Sequence, residues 1–406
     1  MLPNKKIKMK KIIVLFLAFL VLHYQASAQQ KIDVEKALSN AAAHYQNQVA
    51  LFADSTKSPR SINADGSIKS IKSSDWCSGF FGGSLWLLYQ NDKNDFWKKA
   101  AQKWTLAVEK EQFNTTTHDL GFMMYCTFGN GYVLTSESSY KNVIIQSAKS
   151  LATRFNKSAG VIRSWDHGPY NFPVIIDNMM NLELLFEATK LSGDNRFSEI
   201  AIKHANNTII HHFRNDFSSY HVIDYDTATG MPNRRITNQG YSDESAWARG
   251  QAWGLYGYTV MYRYTKNPVY LNQARKIAEF ILKHPNLPKD KVPYWDFNDP
   301  AIPETYRDAS AGAIVASALL ELKNYVSVKE NQYYFNTAET ILTSLASPAY
   351  TAAPGTNKNF IIKHCVGNLP RGVATGEVNT SINYGEYYYI EALVRYKNAL
   401  ATKKVK

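Results

Sequence analysis

Two carboxyl side chains stand at the head of apolar runs. Asp119 lies in "THDLGFMMYC", after His118 and ahead of Leu120, Phe122, Met123 and Met124. Asp177 lies in "FPVIIDNMMNLELL", between Ile176 and Asn178. A carboxyl group in a partly desolvated aromatic setting is harder to ionise and can remain a proton donor near neutral pH. A second carboxyl group nearby pushes the two proton affinities apart, so one acts as acid while its neighbour stays ionised. The competing explanation is capping. Asp at a helix start accepts from free N–H groups and suits the positive end of the helix dipole, worth about 1 kcal/mol. Capping suits Asp75, Asp243 and Asp308 better than it suits Asp119 and Asp177, which adjoin long apolar stretches.

Residue types that hold sugars accompany this pair. Trp76, Trp165, Trp247, Trp253 and Tyr384 offer faces on which pyranose rings stack, although a single Trp is more often core packing. In "NQGYSDESAWARGQAW", Gln239 can bond hydroxyls. Arg249 matches a carboxylate in a bidentate fork. Arg249 is flanked by small and aromatic residues, and a buried Arg needs an anionic partner. Metal chemistry is not indicated. CxxC and HExxH are missing, and "DYDTATG" at 224–230 lacks the third acid and the sixth-position Gly of a calcium loop. His204, His211 and His212 read as surface or core histidines. Of the three cysteines, Cys77 and Cys126 lie among aromatics and read as buried, inert thiols.

The elements that must position these residues are helical. Apolar periodicity predicts twelve helices, near 31–54, 76–91, 93–110, 119–131, 138–154, 176–190, 195–213, 243–264, 268–283, 308–325, 329–347 and 384–399. Strand alternation is weak everywhere except for a hairpin near 219–237, around the turn in "YHVIDYDTATGMP". Every second helix is amphipathic. The others, such as "WCSGFFGGSLWLLY" and "DASAGAIVASALLEL", carry little charge and many small residues, which marks buried, closely packed helices. Six inner helices alternating with six outer ones describe an all-α fold, the (α/α)6 barrel, over residues 29–406. Inner helices of such a ring run parallel, so their starts gather at one mouth. Those starts are Asp75-Trp76, His118-Asp119, Asp177-Asn178, Asp243-Glu244, Asp308, and Tyr384 with Glu386.

Residues 1–28 stand apart. Five lysines precede "IIVLFLAFLVL", and "ASA" at 26–28 has the form of a cleavage site, which together make a secretory signal peptide. The apolar run is shorter than the roughly 20 residues of a membrane span. The formal charge of +12 falls to +7 without these five lysines, since the leader has no acids. No Lys/Arg block reads as a nucleic-acid patch, and the surplus suits an acidic ligand. The chain is expected to be exported to a periplasm, with no membrane attachment once mature.

The motifs "THDLGF", "IIDNMMNLELL", "YHVIDYD" and "NQGYSDESAWARGQAWGLYGY", in this order, resemble glycoside hydrolase family 88, the unsaturated glucuronyl hydrolases. The resemblance spans about residues 35–398 and implies an (α/α)6 barrel. It also implies removal of the 4,5-unsaturated uronic acid that a lyase leaves at the non-reducing end of an oligosaccharide, by hydration of the C4=C5 bond and without a cofactor. By this resemblance Asp177 is the general acid/base and Asp119 its essential, ionised companion. His118 adjoins Asp119, and the substrate-binding set falls on Trp76, His221, Gln239, Arg249, Trp253 and Tyr384. The loop "HCVGNLPRGVATGEVN" departs from the Ser/Lys pattern of members that bind sulfated sugars, with Arg371 as a substitute cation. The alternatives are an unsaturated rhamnogalacturonyl hydrolase acting on pectin fragments, a polysaccharide lyase and a non-catalytic sugar-binding protein. One consequence is independent of the substrate: N-terminal sequencing of exported protein should begin at or near Gln29, and a retained Met1 would overturn the signal-peptide reading.

Overall fold

The computed structural model describes residues 31–52 and 56–404. The expected signal peptide, residues 1–28, lies outside them. All twelve expected helices are present in order. The outer set is α1 (Val34–Leu51), α3 (Asp95–Ala107), α5 (Ser138–Ala152), α7 (Arg196–His212), α9 (Pro268–Lys283) and α11 (Val328–Leu345). The inner set is α2 (Ser78–Asp92), α4 (Asn130–Thr135), α6 (Leu182–Ser192), α8 (Ala248–Thr265), α10 (Ala309–Leu322) and α12 (Asn383–Lys404). The inner helices pack on one another in turn, with the segment 121–129 that precedes α4 making the contact to α6, and α12 touches both α10 and α2, which closes the (α/α)6 ring.

The two ends of the ring differ. Inner-to-outer connections are short and end in left-handed residues such as Lys93 and Lys266, followed by the caps Asn94 and Asn267. Outer-to-inner connections are long and hold all nine strands of the described residues. These are β1 (Ser58–Ile62) with β2 (Ile68–Ile71), β3 (Phe155–Asn156) with β4 (Val161–Ile162), β5 (Pro173–Ile175) with β6 (Val222–Tyr225) and β7 (Pro232–Ile236), and β8 (Cys365–Val366) with β9 (Val378–Thr380). Only β6–β7 was expected, and its antiparallel register pairs Val222 with Ile236. At the far end of the ring, Arg263 bridges Glu183 and Glu321, and Arg395 reaches Glu321 and Glu391.

Three starts differ from the sequence reading. The segment after Asp119 is a π-helix, Gly121–Gly129, before α4. Asn181 Oδ1 takes the Phe122 N–H, and Thr127 Oγ1 donates to the Met123 carbonyl, so the wider turn is supported by side chains. Asp177 lies in a 3-10 turn, Ile176–Asn181, that leads into α6. Asp243 does not start its helix. Trp247 pairs with Asp296 as an isolated bridge and Ala248 N–H donates to the Trp295 carbonyl, which keeps the chain extended up to α8. Asp243 instead accepts from Thr237 N–H. Asp308 does cap α10, through Ser310 N–H.

Small residues set the spacing of the inner ring. A Cβ on Gly79 would lie 2.2 Å from the Phe122 carbonyl oxygen and 2.5 Å from that of Met123, both backbone atoms that cannot rotate away. A Cβ on Gly312, also on an inner helix, would meet nothing nearer than 3.5 Å. Gly79→Ala should therefore lower stability by about 1–3 kcal/mol, the usual penalty of overpacking, while Gly312→Ala should leave the melting temperature unchanged or raised. Equal thermal melts of the two variants would refute close backbone contact as the constraint.

Candidate active site

A cavity of about 520 Å3 opens at the mouth where the inner helices start. Trp76, His118, Asp119, Asp177, Gln239, Arg249, Trp253 and Tyr384 all line it, together with Trp165 and Trp247. His221 stands behind this wall, with Nε2 3.7 Å from Asp177 Oδ1. Residues separated by more than 300 positions thus converge because each long connection delivers them to one mouth.

Asp177 is buried, and its Oδ2 has no protein partner. The neighbouring amides fix the turn that holds it: Asn178 Nδ2 donates to the Ile162 carbonyl and Asn181 anchors the π-helix. His221 Nδ1 accepts the N–H groups of Asn238 and Gln239 at 3.0 and 3.2 Å. Its ring hydrogen is therefore on Nε2, the nitrogen that faces Asp177. Trp247 covers the same imidazole at 4.6 Å between ring centres.

Asp119 has a more crowded setting. Thr117 Oγ1 donates to its Oδ2 at 2.6 Å, and His118 Nε2 lies 3.3 Å from its Oδ1. Burial pushes the Asp119 carboxyl above its ordinary range; His118 and Thr117 pull it back, and the charge of Asp177 raises it again. Desolvation of Asp119, invisible to a motif, outweighs the donors beside it.

Arg249 meets its need for an anion inside the protein. Its guanidinium bonds Asp308 Oδ2 at 2.9 Å and the carbonyls of Val366 and Gly367. Gln239 Nε2 donates to the same Gly367 carbonyl at 3.0 Å. Both side chains line the cavity, but their resolved bonds hold the segment after β8. That segment continues through Arg371, also in the cavity wall, to Glu377. Arg60, which the sequence reading missed, forks onto Glu377 at 2.8 and 2.7 Å and reaches Asp75 at 2.7 Å. Glu377 is held down at about 2 by this fork against the opposing effect of burial. Arg60 and Glu377 lie 317 positions apart, and no local pattern marks such a pair.

The aromatic residues divide by exposure. Trp76 is half-buried and stacks on Tyr384 at 5.3 Å, with the Arg60 guanidinium 5.7 Å from its ring centre. Trp253 is 1% exposed and packs on Phe122 and Tyr388, so it forms floor more than wall. Glu386 turns away into the core, accepts the Ile361 and Ile362 N–H groups, and is pushed up to about 8 by burial. All three cysteines are buried free thiols, and burial raises each of them. His204 and His212 are buried, His204 with its pKa lowered to about 3. The described residues hold no group of three or more His, Cys, Asp or Glu that would bind a metal.

Residues 52–347 match the sequence profile of Glycosyl Hydrolase Family 88. An unsaturated glucuronyl hydrolase of Formosa agariphila is 46% identical over 397 residues, which cover 96% of this chain and 98% of the relative. A solved unsaturated glucuronyl hydrolase described as specific for heparin superposes with a TM-score of 0.88 at 44% identity, over 91% of this chain and 98% of that one. A mutant of the unsaturated glucuronyl hydrolase of Streptococcus agalactiae, solved with dGlcA-GalNAc6S, superposes with a TM-score of 0.75 at 28% identity, over 90% and 92% of the two chains. The closed helical ring, the carboxyl pair in its mouth and these matches along nearly the whole chain place the protein in glycosyl hydrolase family 88.

Proposed function

We propose that this glycoside hydrolase removes the 4,5-unsaturated uronic acid from lyase-released glycosaminoglycan fragments by hydrating the double bond. The observation that carries the reading is the pair Asp119 and Asp177 in one aromatic cavity, with Asp177 Oδ2 unpartnered and His221 set behind it. The relative described as specific for heparin makes heparin-derived disaccharides the first substrates to test. Export to a periplasm, where such fragments would be met, follows from the leader sequence.

In this mechanism Asp177 delivers a proton to C4, and the π-electron pair forms the new C4–H bond. The cation left at C5 is stabilised by the ring oxygen. Water adds at C5 and returns a proton to the Asp177 carboxylate, so the net change is addition of one water. The C5 hemiketal opens to a ketone, C1 becomes an open hemiacetal, and its bond to the next sugar breaks. Asp119 orients the ring and, because burial raises its affinity for a proton, shares in holding the proton of the pair. His221 Nε2 lies 3.7 Å from Asp177 Oδ1, close enough to bias its orientation without a hydrogen bond. Trp76 offers the stacking face. Arg249 places positive charge at the wall while it holds the segment above the substrate.

Asp177→Asn keeps the shape but has no acidic proton, so kcat should fall by roughly 10²–10⁴, followed as loss of the alkene absorbance. In methanol–water the wild type should yield product with methoxy at C5. Methoxy at C1 would mean ordinary glycosidic displacement and would sink the hydration mechanism.

Asp119 allows a separate test. Its folded pKa lies above the unfolded value, so the native chain retains this proton to higher pH than the unfolded chain does. The stability that this group contributes is therefore greatest in acid and declines as pH rises from the ordinary carboxyl range through the folded value. Asp119→Asn should remove that decline, with a flatter melting profile and higher stability on the alkaline side, at the expense of turnover. A variant that melts in parallel with wild type at every pH would show that Asp119 is not perturbed.

A further inference from the structure

A second cavity, of about 660 Å3, adjoins the catalytic one. Lys69, Thr375 and Glu377 line both, so the two share a wall. Each is of a size that holds a small ligand. The second cavity is walled by β2, by the chain between α11 and β8, and by β9 with the loop before it.

Its chemistry suits an acidic sugar. Asn63, Asn379 and Thr380 supply amide and hydroxyl groups, and Val373, 55% exposed, supplies an apolar face. The charged lining is Lys69, Lys363 and Glu377, with His364 beside them. Glu377 is already satisfied by Arg60 and Ser61, and its contact with Lys69, at 3.2 Å, comes on top of these. Lys363 donates to the Pro348 carbonyl at 2.8 Å and has no carboxylate partner among the described residues. Positive charge here exceeds what the single acid of the lining neutralises.

The backbone gives an independent sign. Asn357, His364, Glu377 and Asn379, all in this lining, have φ of 50°, 63°, 54° and 54°. Asn and His enter the left-handed region with some ease, but Glu does not. Such conformations persist where the surroundings impose them, and they gather at ligand sites. Here they lie in two stretches of chain, 357–364 and 377–379, that border one space.

We infer that this cavity is a distal subsite that takes an acidic sugar residue of a longer oligosaccharide, with Lys363 and Lys69 meeting its carboxylate or sulfate. The inference rests on the proposed function. The unsaturated end reacts between Asp119 and Asp177, and the chain leaves across Lys69 and Glu377 into the second cavity. The enzyme then prefers tetrasaccharides over disaccharides of the same acidic polymer, and that preference weakens with added salt.

The test compares unsaturated di- and tetrasaccharides from one lyase digest on wild type, Lys363→Gln and Lys363→Glu. Lys363 is outside the catalytic cavity, so disaccharide kinetics should not change. For the tetrasaccharide, Lys363→Glu should lower kcat/KM about tenfold, the order of one charge-assisted hydrogen bond, through KM with kcat kept. Lys363→Gln should give a smaller loss, and matching melting temperatures would exclude misfolding. Wild type that turns over disaccharide with no length preference, or variants that lose both substrates in proportion or neither, would overturn the subsite while leaving the reaction intact. Failure of wild type on every unsaturated fragment would overturn the reaction itself.

Discussion

The mouth of this barrel is organised around one buried cation. Arg249 is 1% exposed, and a guanidinium in that position needs acceptors on every side. It finds Asp308 at the start of α10 and the carbonyls of Val366 and Gly367 beyond β8. Trp247 and Tyr384 lie along it, 4.5 and 5.1 Å from their ring centres. Arg249 therefore ties three inner helices and one long connection to a single point. Tyr384 in turn stacks on Trp76, and Trp247 covers His221. Removal of one partner of such a buried pair typically costs about 3–5 kcal/mol, so the wall of the active site and the stability of the ring cannot be varied independently here.

This coupling explains which parts of the molecule were legible in the sequence. The helices were, because burial of one face or of all faces leaves a periodic mark over fifteen or so neighbouring residues. Alternation of charged and small-residue helices then specified the ring. Apart from the β6–β7 hairpin the strands were not, since they are two to five residues long, too short for a periodic mark, and some pairings join distant stretches: β5 with β6, or Ser61 with Ile382. Asp243 shows the same limit. The run through Trp247 has helical periodicity, yet its pairing with Asp296, supplied by a different connection, keeps it extended.

The candidate site followed a similar division. Asp119 and Asp177 stood out because acids beside long apolar runs conflict with local burial. That conflict located the site but not the state of each acid. Desolvation by elements that the fold brings up raises Asp119, an effect that no local motif carries. Arg249 was correctly read as needing an anion, and the anion proved to be Asp308. Arg60 and Glu377 gave no sign at all, because an ion pair between two segments leaves no period and no motif in either.

The two carboxyl groups are finally distinguished by what surrounds them. Asp119 accepts a hydrogen bond from Thr117 on one oxygen and has His118 Nε2 3.3 Å from the other. Asp177 has one oxygen near His221 and the other without a partner. Two backbone N–H groups fix the His221 hydrogen on Nε2, so this imidazole can donate toward Asp177 but cannot pass a proton through its ring while Nδ1 remains an acceptor. A relay through His221 is thereby blocked. In the proposed hydration, main-chain donors that fix this tautomer leave the return of the proton to the carboxyl groups themselves.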